Sequence, residues 1–377
     1  MQDPGKYHRE YMDYNFDQIL DILYGSYIKY DRLYEMTKFA FYGKTDSNQV
    51  NIFIDVYSIV KSLYSRGSQL GRGDNCVISS CLINLAIHLR AYFETRHRLE
   101  SKVYLIYGGA RPLEAIINFY RYNEKNVIME NSDYLFHEML KANLEVMQVI
   151  CPYLYNIFCV VDYEKEFGVI ASHMIDNPFE PQPDKTPNIV YSRDPMSYQL
   201  VAFCPRTFLY RPKKHNKDDA SWVVTKTTLY DAYRYGELGM KKQSPTTIDY
   251  RMFSIFLTIA GVRSRSIPSI RNASTTLKLL EDAVNRNIFA NGYNSNSILY
   301  SDPTAKNAFD KFCEGTNMDP DQLTLRFAAI DLVFQKGLYM SKPTDIFKGI
   351  VNLYDPREVK HLNDTYFQKY PLDLNRV

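Results

Sequence analysis

The chain has 377 residues, with 45 Lys and Arg against 43 Asp and Glu and a formal net charge of +2. That balance excludes an overall positive field able to draw a polyanion, so any such surface must come from local clustering. The length allows one large domain with extensions or two domains sharing an interface.

The six cysteines (76, 81, 151, 159, 204 and 313) form no CxxC pair, and four sit in apolar runs, the pattern of buried reduced thiols in an intracellular protein. The opening "MQDPGKYHREYMDYNFDQ" lacks the apolar core of a signal peptide. The longest apolar region, 146–161, is broken by Pro152 and Asn156 and is shorter than the roughly 18 residues that a membrane span needs. The expectation is a soluble chain without a membrane partner, cytoplasmic or held within a larger assembly. The 32 Tyr against one Trp suit a packed or partner-covered surface, because Tyr covers apolar area while its hydroxyl stays hydrated.

Residues 7–43 carry apolar positions at mixed helical spacing and predict one or two helices ahead of the main fold. "NIFIDVYSIVKSLYSR" (51–66) turns from a short strand into a helix with Asp55 between them. A long amphipathic helix is expected over 77–101, then a strand, "KVYLIYGG" (102–109), then helices over 112–150. "NIFCVVDYEKEFGVIASHMI" (156–175) reads as strand, turn and helix, and a proline-rich loop (176–187) leads into the strand Ile189 to Tyr191, which breaks at Asp194-Pro195. "FLYRPKK" (208–214) reads as a strand, and a polar loop follows it to a helix near "KTTLYDAYRYG". Helical patterns then dominate, in "TTIDYRMFSIFLTIAGV", "TTLKLLEDAVNRNI", "PDQLTLRFAAIDLVFQKGLYM" and "KPTDIFKGIVNLY". The fold class is α/β, a parallel sheet flanked by helices with a helical C-terminal portion. Its expected divisions are a helical extension (1–48), the α/β domain (49–240), a helical region (241–290) and a C-terminal helical extension (291–377).

Strands that end in acids, with helices between them, resemble the flap endonuclease and 5′ exonuclease family, large relatives of the PIN domain. "NIFIDVYSIV" resembles its opening strand, aspartate and helix, and "YLIYGGARP" its second strand, which ordinarily ends Phe-Asp-Gly. "FCVVDYEKEFGVIASHM" is similar to its strand, turn and Glu-Ala-Asp-Asp helix, and "YSRDPMSYQLV" to its Ser-Gly-Asp-Lys-Asp segment. "TIDYRMFSIFLTIAGVRSRSIPSI" resembles the start of the helix-three-turn-helix that grips duplex DNA. The resemblance runs over about residues 50–285.

It implies a two-metal nuclease, and the departures from it bear on the chemistry. Asp55 and Asp194 match family acids; Gly108, Phe167, Gly168 and Met196 stand where others are expected. Two Mg²⁺ ions about 4 Å apart need several carboxylates to offset four positive charges, and two remain. Asp55 and Asp194 are the residual metal candidates, each with the alternative of capping the helix that follows. Asp162, Glu164 and Glu166 are auxiliaries, with Glu166 expected to point away because one residue of shift turns a helical side chain by about 100°. Phe167 and Met196 read as apolar packing. Arg263, Arg265, Arg271 and Lys278 form a basic cluster at the duplex-binding place, or else a solvated helix face.

The implied protein is therefore a degenerate, catalytically inactive nuclease relative that binds DNA, duplex or junction, or serves as an assembly subunit. It needs no cofactor, and Mg²⁺ or Mn²⁺ would serve any residual cleavage. An active 5′ nuclease with a reduced acidic site and a subunit without DNA contact are the alternatives. The Tyr, Asn and Ile bias with the eroded motifs points to a viral or phage component.

Overall fold

A run of apolar residues flanked by polar ones becomes the central strand of the molecule: Gln49–Asp55 (β1) is buried from Val50 onward, on both faces. This is the pattern of a strand inside a parallel sheet covered on both sides. The structure, a computed structural model, describes residues 48–64, 76–109, 131–176, 186–211, 222–238, 248–262, 267–289, 303–338 and 350–376. Among these, β1, Glu100–Gly108 (β2), Ile157–Asp162 (β3), Asn188–Tyr191 (β4), Thr207–Arg211 (β5) and Trp222–Val224 (β6) form one sheet in the order β3-β2-β1-β4-β5-β6. The first five run parallel and β6 pairs antiparallel with β5. The expected α/β class is what the structure has. The short β6 lies where a helix alone was expected after the polar loop.

The chain steps outward from β1 to β2 and β3, then returns to the other side of β1 for β4. The carboxyl ends of β1 and β4 therefore flank the switch in strand order, the place where open α/β sheets bind ligands. Alternation along β1 sends Ile52 and Ile54 to one core and Phe53 to the other. The first core lies under Val56–Tyr64 (α1), Val77–His97 (α2) and Asn131–Ile150 (α3). The second lies under Phe167–Ile175 (α4), Tyr198–Phe203 (α5), Leu229–Gly236 (α6) and Phe253–Ala260 (α7).

Ala273–Asn285 (α8), Pro303–Thr316 (α9), Pro320–Ile330 (α10), Leu332–Leu338 (α11) and Pro356–Tyr366 (α12) complete the described helices. Three helical expectations change here. The segment 320–338 is two helices, because Asp331 takes an extended conformation between them while its carbonyl accepts from Gln335 N at 3.0 Å. Residues 350–355 are not helical, and the next helix begins at Pro356, where Asp355 accepts from Arg357 N at 2.9 Å. Helix α2 is buried on nearly every face instead of being amphipathic. The end of the chain covers its outer side: Ser80 Oγ donates to Tyr370 O (2.6 Å), Asn84 Nδ2 to Pro371 O (3.1 Å), and Arg90 to Arg376 O. The expected N-terminal helices and residues 112–130 of the helices expected over 112–150 lie outside the described residues.

Candidate functional site

Asp55 ends β1 and is 2% exposed. Its Oδ1 accepts from Ser58 N (3.1 Å) and its Oδ2 from Ser192 Oγ (2.6 Å). Burial, with added repulsion from Asp194, outweighs these hydrogen bonds and pushes the carboxyl up to about 6. Asp55 thus keeps its proton to higher pH than an ordinary aspartate, while the carboxylate remains the dominant form at neutral pH.

Ser192 follows β4 and is a junction. Its hydroxyl donates to Asp55 and receives Asp194 N (3.0 Å) and Ser197 Oγ (2.8 Å). Ser58 Oγ accepts from Arg193 N at 3.0 Å and lies 3.4 Å from Ser192 Oγ. Asp194 caps the single turn Pro195–Ser197 through Met196 N at 3.0 Å, the capping role with Pro at the first position. Ser58, Ser192 and Ser197, which the sequence did not single out, thus tie the ends of β1 and β4 together. The available signal was serines placed shortly after a strand end, Ser58 after Asp55 and Ser192 and Ser197 after Tyr191.

Asp162 ends β3 and is occupied as well. Its Oδ1 accepts from Glu164 N (2.8 Å) and Lys165 N (3.0 Å), and its Oδ2 pairs with Lys165 Nζ at 2.7 Å. Glu164 is exposed. Glu166 departs from its expected orientation: it is 5% exposed and lines a narrow recess with Asp194, Met196, Ser197 and Gln199. The 100° rule fails because Glu166 precedes the helix and has extended backbone.

The position beside Asp162 on β2 is Gly108. A Cβ there would lie 2.8 Å from Lys165 O, 2.6 Å from the carbonyl carbon of Glu166, and closer still to Phe167 N. The backbone entering α4 fills the volume that a second-strand aspartate would take. Phe167 and Met196 are both buried in the core under α4 and α5.

The recess is roofed by the α10–α11 joint. Gln199, fully buried, donates to Ile330 O (2.8 Å) and accepts from Leu332 N (3.0 Å) and Ser254 Oγ (2.9 Å). Leu332 Cδ1 lies 3.3 Å from where a Cβ on Gly168 would be. Lys336 donates to Ser172 O at 3.3 Å and pairs with Asp176, which fastens α11 onto α4.

Among the described residues no group of three or more His, Cys, Asp or Glu is arranged to hold a metal ion. The donor set does not fit a two-ion centre. Both oxygens of Asp55 are already engaged by a serine hydroxyl and an amide, Asp162 is paired with Lys165, and backbone stands against Gly108.

The basic cluster divides. Arg271 and Lys278 are exposed at the start and second turn of α8; Arg263 and Arg265 lie outside the described residues. The bend before α8 is tight. Gly261 has φ +75°, a conformation suited to glycine, and the backbone of Ile267 to Ser269 lies 2.7 Å from where its Cβ would be. Val262 and Ile267 pair through two backbone hydrogen bonds, and Ile259 O accepts from Ile270 N (2.8 Å) and Arg271 N (3.3 Å). Asn272 then caps α8 through Thr275 N at 2.9 Å.

No family model matches the sequence, and no curated protein matches it. In three dimensions the chain is similar to a T5 5′-exonuclease structure with divalent metal ions (zinc) bound, at TM-score 0.46 and 11% identity over 83% of this chain and 98% of that one. It is similar to the catalytic core of Rad2 in complex with DNA substrate, at 0.43 and 10% over 85% and 87%. It is also similar to human GEN1 in complex with Holliday junction DNA, at 0.38 and 11% over 81% of this chain and 62% of that one. No residue role follows from likenesses of this size.

Proposed function

We propose that this chain is a flap-endonuclease-like protein that has given up two-metal cleavage and acts by binding nucleic acid, through the α7–α8 bend. The observation that carries the reading is the close approach of the Lys165–Phe167 backbone to Gly108. A missing carboxylate could be restored by substitution if its space were open, but here the neighbouring backbone occupies that space. The serine ties on Asp55 and the Lys165 pair on Asp162 agree with it.

Arg271 and Lys278 are the described groups positioned for phosphate, and Arg263 and Arg265 join them by sequence. Each phosphate neutralised releases counterions and adds to a salt-dependent affinity. Such contacts grip a duplex without reading its sequence. The partner proposed is therefore duplex or junction DNA, and a protein assembly around the chain is compatible with it.

A reduced one-ion nuclease is the second reading. It is favoured by Glu166 and Asp194 lining one recess, since a single Mg²⁺ needs only one or two carboxylates plus water and phosphate oxygens. One experiment separates the two: incubation of labelled flap, nicked and single-stranded DNA and RNA in Mg²⁺ and in Mn²⁺, with Asp55→Ala and Asp194→Ala purified in parallel. Salt-sensitive binding without cleavage is the expected result. Cleavage abolished by either variant would establish the second reading in its place.

A further inference from the structure

One buried cation plays no part in the carboxylate edge. Arg326, in the middle of α10, is 5% exposed and points into the bend between α7 and α8. Its Nε donates to Thr258 O at 3.1 Å, and its terminal nitrogen donates to Pro268 O. Thr258 belongs to the last turn of α7, whereas Pro268 lies three residues before Arg271. The guanidinium therefore fastens the two sides of the bend to each other from beneath.

We propose that Arg326 is a positioning residue of the nucleic-acid interface, so that a helix of the C-terminal extension sets the geometry of the bend that presents Arg271 and Lys278. The inference rests on the reading of that bend as the binding surface. A planar fork can hold two carbonyls at once, which a lysine ammonium on a flexible stem does less well. Pro268 has no amide hydrogen and contributes only its carbonyl to the turn, so Arg326 is the partner that side of the bend has from below. Beyond it, Ile259 O holds the amides of Ile270 and Arg271. Shifting Pro268 would loosen that pair and move the backbone of Arg271. Because Arg326 is buried, it acts on phosphate only through the bend.

The test compares the full chain with Arg326→Lys, Arg326→Met and Arg271→Ala. Affinity for a labelled DNA duplex is titrated over several salt concentrations and corrected for active fraction, with amide exchange followed in parallel. Arg326→Met is expected to bind about five- to tenfold more weakly, a loss of about 1–1.4 kcal/mol, and Arg326→Lys by a smaller factor, both with the wild-type salt slope. Arg271→Ala is expected to make the slope shallower by about 0.9, the value of one phosphate contact. Exchange in Arg326→Lys should quicken at Ile270 and Arg271 and stay unchanged in β1 and β4. Arg326→Lys keeps a buried cation and is read if Arg326→Met does not fold. Wild-type affinity and exchange in Arg326→Lys would overturn the proposal, as would a slope change matching that of Arg271→Ala. Absence of duplex binding by the wild type would instead overturn the interface reading beneath it.

Discussion

At the scale of single residues, the site is governed by what surrounds each acid. Asp55 is one of two strand-end acids legible in the sequence, yet its neighbours are serines and amides that can only be seen once β1 and β4 lie side by side. Raising its carboxyl from 3.8 to about 6 corresponds to about 3 kcal/mol between the protonation states. Between roughly pH 4 and 6 the folded chain holds a proton that the unfolded chain has released, so this group lowers stability as pH rises and its penalty is complete above that window. Asp55→Asn should therefore match the wild type in denaturant titrations near pH 4 and exceed it at pH 7.5. His173 tilts the curve the other way. Burial and the Lys336 ammonium push its imidazole down to about 4, so stability gained from it grows as pH rises from about 4 to 6.5. Replacing His173 with Gln should flatten that rise, and a steeper rise in the variant would contradict the assignment. Gly108→Asp should cost about 3 kcal/mol or more in urea unfolding, because the new side chain meets backbone that cannot turn aside. A variant as stable as wild type would show the entry to α4 to be yielding.

Among secondary elements, periodicity and capping residues located most strands and helices, and tertiary cover decided the rest. The run 320–338 has one helical pattern in sequence, but its break at Asp331 is fixed by Gln199, a residue more than a hundred positions away. No local signal carries that information. The start of α12 carries a local signal that the helical reading ending at Tyr354 passed over, since Asp355-Pro356 is a cap followed by proline at the first helical position. The helix expected over 77–101 ends at His97, with β2 beginning at Glu100, and the solvent face its pattern predicts is covered by residues 370–376. Gln199→Leu should leave Ile330 O, Leu332 N and Ser254 Oγ without their partner, a cost of about 2–4 kcal/mol by thermal or urea unfolding. Amide exchange should then rise first at the α10–α11 joint. A uniform rise would mean that the joint is not a separate latch.

Across the whole molecule, a parallel sheet carries acids at its carboxyl edge, and the space around them is filled. Backbone fills the place beside Gly108, apolar side chains stand at 167 and 196, and the α10–α11 joint roofs the recess. Residue types alone showed Gly108, Phe167 and Met196 at this edge. They could not reveal that the space there is filled, because the filling groups come from β2, α4 and the C-terminal helices together. The proposed binding surface is the α7–α8 bend and uses charges that the net balance of the chain conceals. The most direct test of the sealed edge is a manganese titration of the full chain by electron paramagnetic resonance, with Asp55→Ala and Asp194→Ala alongside. The account predicts at most one weakly held ion, unchanged in Asp55→Ala. Two ions held per chain, with loss of binding in both variants, would contradict it.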